Sequence, residues 1–142
     1  MPFPDQHFDV AIGQAILHHL RQKNLAAEEL YRVLKPGGRA IFAEPFGNSL
    51  WLERARQLVP VQSEAPEDPT EWSRQFKYVD IDPFRRLFNV DVDEYQFLSR
   101  LDRVISWRPF VNAVGWLDRR LLRAAPALRP YARSIVIELE RR

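Results

Sequence analysis

The first apolar run in the chain, residues 8 to 12 (FDVAI), has little polar alternation and stops at Gly13. That pattern predicts a short strand covered on both faces. The residues before it, with Pro2, Pro4 and Asp5, are turn-like. From 16 to 34, Leu17, Leu20, Leu25, Leu30, Val33 and Leu34 recur at near-helical spacing, which predicts two helices broken around Lys23 and Asn24. Pro36, Gly37 and Gly38 stop that pattern. Gly37 suits the left-handed residue that closes a helix, and 39 to 43 follows as a second apolar strand. Strand, helix and strand in this order form a right-handed crossover between parallel strands. Gly13-Gln14 and Glu44-Pro45 therefore meet at one sheet edge.

Residues 46 to 80 hold Gly47, Asn48, Pro60, Pro66, Pro69 and the acidic cluster Glu64, Glu67 and Asp68 around one helix at 49 to 58. They read as an excursion over that edge. Asp82 and Pro83 are a suitable cap and first-turn pair for a helix through 88. A strand at 90 to 98 comes next, and its apolar phase shifts between Val92 and Tyr95, which predicts a bulge. Residues 101 to 122 are helical in pattern, with Pro109 as a break or restart. The last apolar stretch, SIVIELE, is a strand with Ile135, Ile137 and Leu139 on one face.

Composition changes this picture little. A chain of 142 residues with 46% hydrophobic and 28% charged residues is one folded domain. It has no cysteine, which excludes disulfides, thiolate metal sites and cysteine nucleophiles. No apolar run approaches the ~20 residues that span a bilayer, and the start lacks a basic and then apolar leader, so the expectation is a cytoplasmic protein. Net charge is +2, yet all but Lys23, Lys35 and Lys77 of the 21 basic residues are arginine. The late arginines read as a solvated face, and no nucleic-acid motif is present.

Ligands of parallel α/β sheets sit beyond the carboxyl ends of the strands. Gly13 permits close backbone approach there, and Gln14, Ala15, His18 and His19 stand on the loop and first turn that follow. Adjacent helical residues point about 100° apart, so His18 and His19 do not share a metal, and one of them remains a candidate ligand contact. Glu44 is either a group that orients a substrate proton or cation, or an exposed strand-end carboxylate. Gly37-Gly38 lies at the opposite edge and serves the turn.

Two stretches, MPFPDQHFDVAIGQAILHHL and EELYRVLKPGGRAIFAEP, carry a specific likeness over residues 1 to 45. They resemble the class I S-adenosylmethionine-dependent methyltransferases, in the branch near quinone-biosynthesis enzymes. The resemblance implies an α/β, Rossmann-like sheet. This chain would carry the equivalents of strands 4, 5, 6 and 7 with flanking helices, with the amino-terminal half and its glycine-rich loop missing. One partial domain then fills 1–142: a crossover at 1–45, a lid-like insertion at 46–89, and a strand-helix-strand unit at 90–142. The implied cofactor is S-adenosylmethionine, contacted by Gly13, Gln14, Ala15 and His19. His18, Glu44, Pro45 and Phe46 would face the acceptor. No catalytic residue and no metal is assigned.

The implied acceptor is a small, rather apolar molecule. The aromatic load of Phe46, Trp51, Trp72, Phe76, Tyr78, Phe84, Phe88, Trp107 and Trp116 is consistent with it. As an isolated chain the expectation is inactivity, because half a crevice wall does not hold an adenosine. The rival reading is a non-catalytic interaction module that self-associates or pairs with another subunit through the open strand 8–12. Beside ordinary packing, the long helix with Arg119, Arg120 and Arg123 allows a peripheral membrane contact.

Overall fold

A computed structural model describes residues 2–47, 75–98 and 108–142, with 108–112 described by backbone alone. In chain order the elements are β1 (Phe8–Gln14), a 3-10 turn (Leu17–His19), α1 (Lys23–Val33), β2 (Leu34–Pro45), a 3-10 turn (Tyr78–Ile81) and α2 (Asp82–Arg85). β3 (Phe88–Tyr95), α3 (Arg108–Ala124), a 3-10 turn (Pro126–Tyr131) and β4 (Ser134–Arg141) complete them. The expected helix at 49 to 58 lies outside the described residues.

The described strands form one sheet in the order β1-β2-β4-β3. β1 and β2 are parallel, as their helical connection requires, and β4 runs antiparallel to both β2 and β3. One face of the sheet is the core side. Ala40, Phe42, Ile135, Ile137, Leu139 and Phe88 are buried there against Ala27 and Leu30 of α1, Phe84 of α2, and Phe46 and Phe76. The alternation of SIVIELE predicts this well, since a strand places every second residue on one face. No helix among the described residues is long and apolar enough to cross a membrane.

Several details differ from the expectation. β1 is not covered on both faces: it is an edge strand, and Val10 and Ile12 are 53% and 80% exposed. The helix break falls at Leu20 to Gln22, and α1 starts at Lys23. Gly37 has the left-handed φ of +74°, but it does not close α1, which ends at Val33 with an extended Leu34 behind it. The ladder advances from Phe8 to Val10 on β1 while it advances from Leu34 to Arg39 on β2, so the extra β2 residues loop out and Gly37 makes that turn.

Asp82 is not the cap: Asp80 instead accepts from the Lys77 amide at 2.9 Å, and Ile81 precedes α2. The bulge expected in β3 is absent, because its register with β4 is continuous from Phe88 to Tyr95. The apparent phase shift has another cause. Phe88, Val90, Val92 and Glu94 share the inward face, and a carboxylate occupies the fourth inward position.

Candidate functional site

At the carboxyl edge of the sheet, Gln14 pairs with Ala43 and the Ala15 amide donates to the Ala43 carbonyl at 2.8 Å. There the chain leaves the ladder through Ala15, whose φ is +51°. This left-handed residue turns the backbone over the end of β2 and brings the first turn of 17–19 above Glu44. The sequence reading placed residues 14 and 44 at a common rim, and the structure does so.

Glu44 is the anchor of the rim. It is 2% exposed and its carboxylate is filled by donors. Oε1 accepts from the Ile16 amide at 2.9 Å and the Leu17 amide at 2.8 Å. Oε2 accepts from the His18 amide at 3.4 Å and lies 2.7 Å from His18 Nδ1. The first amides of a helical turn lack internal partners and carry partial positive charge, so a carboxylate is the suited cap. Glu44 is therefore not an exposed strand-end acid. An ionised carboxylate only accepts hydrogen bonds, so a bond between the two requires the proton on Nδ1 and leaves Nε2 as the second ring nitrogen.

The histidine rings do not diverge as residues of an α-helix would. In this tight turn their centroids are 3.9 Å apart with planes tilted by 39°, and His19 is exposed while His18 is half-buried. Among the described residues, no three His, Asp or Glu side chains are placed to hold a metal ion. Gly13 allows a close approach, but by the protein itself: a Cβ there would stand 2.5 Å from the Phe42 ring and 3.1 Å from Ile16 Cγ2.

Pro45 and Phe46 lie beside Phe76 at the rim, with Phe46 and Phe76 joined by a parallel bridge. The Phe76 amide donates to the Pro45 carbonyl at 3.0 Å, and the Gly47 amide to the Phe76 carbonyl at 3.1 Å. Gly47 and Phe76 thus lie side by side at the rim. Phe46 is fully buried beneath the edge of the Tyr78 ring, 4.9 Å between centroids. Of the aromatics expected around an acceptor, Phe46, Phe76, Phe84 and Phe88 belong to the core, and Trp116 faces solvent. Trp51, Trp72 and Trp107 lie outside the described residues.

A cleft of about 430 Å³ opens beside the rim, lined by His18, Leu20, Arg21, Lys23, Gln75, Lys77 and Asp80. Lys23 and Asp80 pair across it at 3.2 Å. Two features of the rim escaped the sequence reading. Tyr78 donates to Glu94 at 2.5 Å, and Arg129 Nε stands 3.8 Å from the same carboxylate. Burial, and then the bond to Glu94, push the Tyr78 hydroxyl well above the ordinary tyrosine range. Asp118 is buried and accepts from the Phe97 and Leu98 amides at 3.1 and 2.7 Å, tying α3 to the end of β3. The inward phase of Glu94 in β3 was the one available signal for the first.

Residues 1–42 match the model of a methyltransferase domain. The chain is 30% identical over 104 residues to a ubiquinone/menaquinone biosynthesis C-methyltransferase of Laribacter hongkongensis, covering 73% of this chain and 36% of that relative. A SAM-dependent methyltransferase structure from Thermotoga maritima aligns with 100% of this chain and 60% of its own, with a TM-score of 0.58 at 16% identity. A Haloferax volcanii methyltransferase in complex with the Trm112 methyltransferase activator aligns with 99% of this chain and 57% of its own, with a TM-score of 0.54 at 17% identity. The chain spans less than two thirds of each of these proteins.

Proposed function

We propose, for a chain that belongs by fold and by its first third to the class I S-adenosylmethionine-dependent methyltransferases, that its rim is the acceptor side of a methyl-transfer site. β1, β2, β3 and β4 stand as the equivalents of strands 4, 5, 6 and 7 of that Rossmann-like fold, and S-adenosylmethionine is the cofactor of the family. The observation that carries the proposal is the Glu44 clamp on Ile16 to His18. It holds the loop after β1 rigidly over the end of β2, where a reacting methyl needs a fixed wall.

Gln14, Ala15 and His19 are exposed on that loop and would lie along the methionine part of the cofactor, with Gly13 beneath them. When bound, S-adenosylmethionine supplies an electrophilic methyl. His18, held by Glu44 through Nδ1, would present Nε2 toward a small, rather apolar acceptor, with Pro45 closing the rim and Phe46 supporting it from the core. The adenosine wall would come from residues beyond these 142, and the chain alone would be inactive.

An NMR titration of the 142-residue chain with S-adenosylmethionine tests both parts. The expected result is weak binding, Kd on the order of 1 mM or looser, with amide shifts confined to residues 13 to 19. Shifts elsewhere, or none, would overturn the site. Micromolar binding would overturn the need for an added wall.

The open edge of β1 favours a second reading, in which this chain is a non-catalytic module that pairs through residues 8–12. Val10 and Ile12 are exposed apolar residues on a strand whose outer edge has no partner among the described residues, the arrangement that recruits another strand. Light scattering at rising concentration separates the two. Self-association that Ile12→Lys abolishes supports pairing, and a monomer throughout argues against self-pairing.

A further inference from the structure

The outer face of α3 has no partner among the described residues and carries one sign of charge. At about 100° per residue, Arg119, Arg123, Trp116, Arg120, Ala113, Ala124 and Leu117 follow one another around an arc of about 160°. All seven are exposed, Trp116 by 51% and Leu117 by 48%, whereas Val114, Gly115, Asp118, Leu121 and Leu122 fill the opposite arc and are buried or half-buried. The one acid of the helix, Asp118, points inward to the Phe97 and Leu98 amides and so fixes this rotation.

Arg39 is ion-paired with Glu138 and Glu140, and the half-buried Arg32 with Asp5 and Glu29. Arg119 and Arg123 have no hydrogen-bond or ion-pair partner among the described residues, and Arg120 lies over the Trp116 ring at 4.3 Å. Among the described residues their charge is uncompensated.

We infer that α3 is a docking face for an anionic lipid bilayer, lying along the membrane surface with Trp116 and Leu117 at the headgroup boundary and Arg119, Arg120 and Arg123 on the lipid phosphates. An indole and a leucine beside unpaired guanidinium groups match the chemistry of that boundary, apolar below and anionic above. A soluble acidic partner would account for the arginines but not for the exposed tryptophan and leucine among them. The inference does not depend on the methyl-transfer reading.

The test is co-sedimentation of the full chain with vesicles of phosphatidylcholine alone and with about 30 mol% phosphatidylglycerol at roughly 0.1 M salt. Binding to the anionic vesicles at least tenfold stronger is expected. Arg119→Gln with Arg123→Gln should lower it about tenfold, as should Trp116→Ala with Leu117→Ala. Arg39→Gln should leave it unchanged, and circular dichroism should show every variant folded. Equal binding to both vesicles, binding to neither, or indifference to both double variants would overturn the inference. So would release by about 10 mM inorganic phosphate, which would make the arginines a site for a soluble anion. Tighter, arginine-dependent binding to heparin than to vesicles would do the same in favour of a soluble polyanion.

Discussion

His18 Nδ1 and Glu44 Oε2 lie 2.7 Å apart across a sequence gap of 26 residues. With the Ile16 and Leu17 amides on the other oxygen, this contact makes the loop after β1 and the end of β2 one rigid rim. Glu44→Gln replaces one acceptor oxygen with a donor, so whichever way the amide turns, donors in a buried place lose their partner. The expected loss is about 3 kcal/mol of stability. Urea denaturation should show a lower midpoint at an unchanged slope. A change below about 0.5 kcal/mol would mean that the clamp does not hold the rim.

Gly13 leaves room for the Phe42 ring, and the same closeness makes the position sensitive. Gly13→Ala should cost about 2 kcal/mol by overpacking. Phe42→Leu in the same chain should remove much of that added cost. A double-mutant cycle in urea measures the coupling, and strict additivity would count against a steric origin.

Ala15 occupies the left-handed region without being glycine. A Cβ costs roughly 1–2 kcal/mol there. Ala15→Gly should therefore raise stability by about 0.5–1 kcal/mol after the extra freedom of the unfolded chain is set against it. The thermal midpoint should rise, and a fall would show that the loop takes up a different backbone conformation.

Tyr78 titrates above its ordinary value of 10.0 in the folded chain. A raised value means that the neutral hydroxyl, buried and bonded to Glu94, is favoured by folding. Its contribution is whole below pH 10 and is lost as pH rises through that value and beyond. The stability of the native chain should fall above pH 10 more steeply than that of Tyr78→Phe, as followed by denaturation at a series of pH values. Parallel curves would mean that the Tyr78–Glu94 bond adds nothing to folding.

Much of the fold was legible in the local pattern. The alternation of SIVIELE, the helical spacing of Leu25 to Val33 and the strand-helix-strand order set the elements and the parallel pairing of β1 with β2. These follow from period and connection length, which the chain carries locally. The residues at the rim, from Gly13 to His18 and Glu44 to Pro45, were likewise legible, because loops after parallel strands gather at one edge.

Tertiary structure alone decided what those residues do there. The sequence left Glu44 open between an exposed acid and a group that orients substrate; only the fold of Ile16 to His18 back over β2 makes it a buried cap, and no local pattern records which distant amides fill a carboxylate. Gly37 was read as a helix end and is a turn inside the ladder, since its role depends on the register between two strands. The phase shift read as a bulge in β3 is the inward Glu94, satisfied by Tyr78 from another element. A sequence states which side chains are polar. Whether a polar group is exposed, buried or bonded is a property of its neighbours in space.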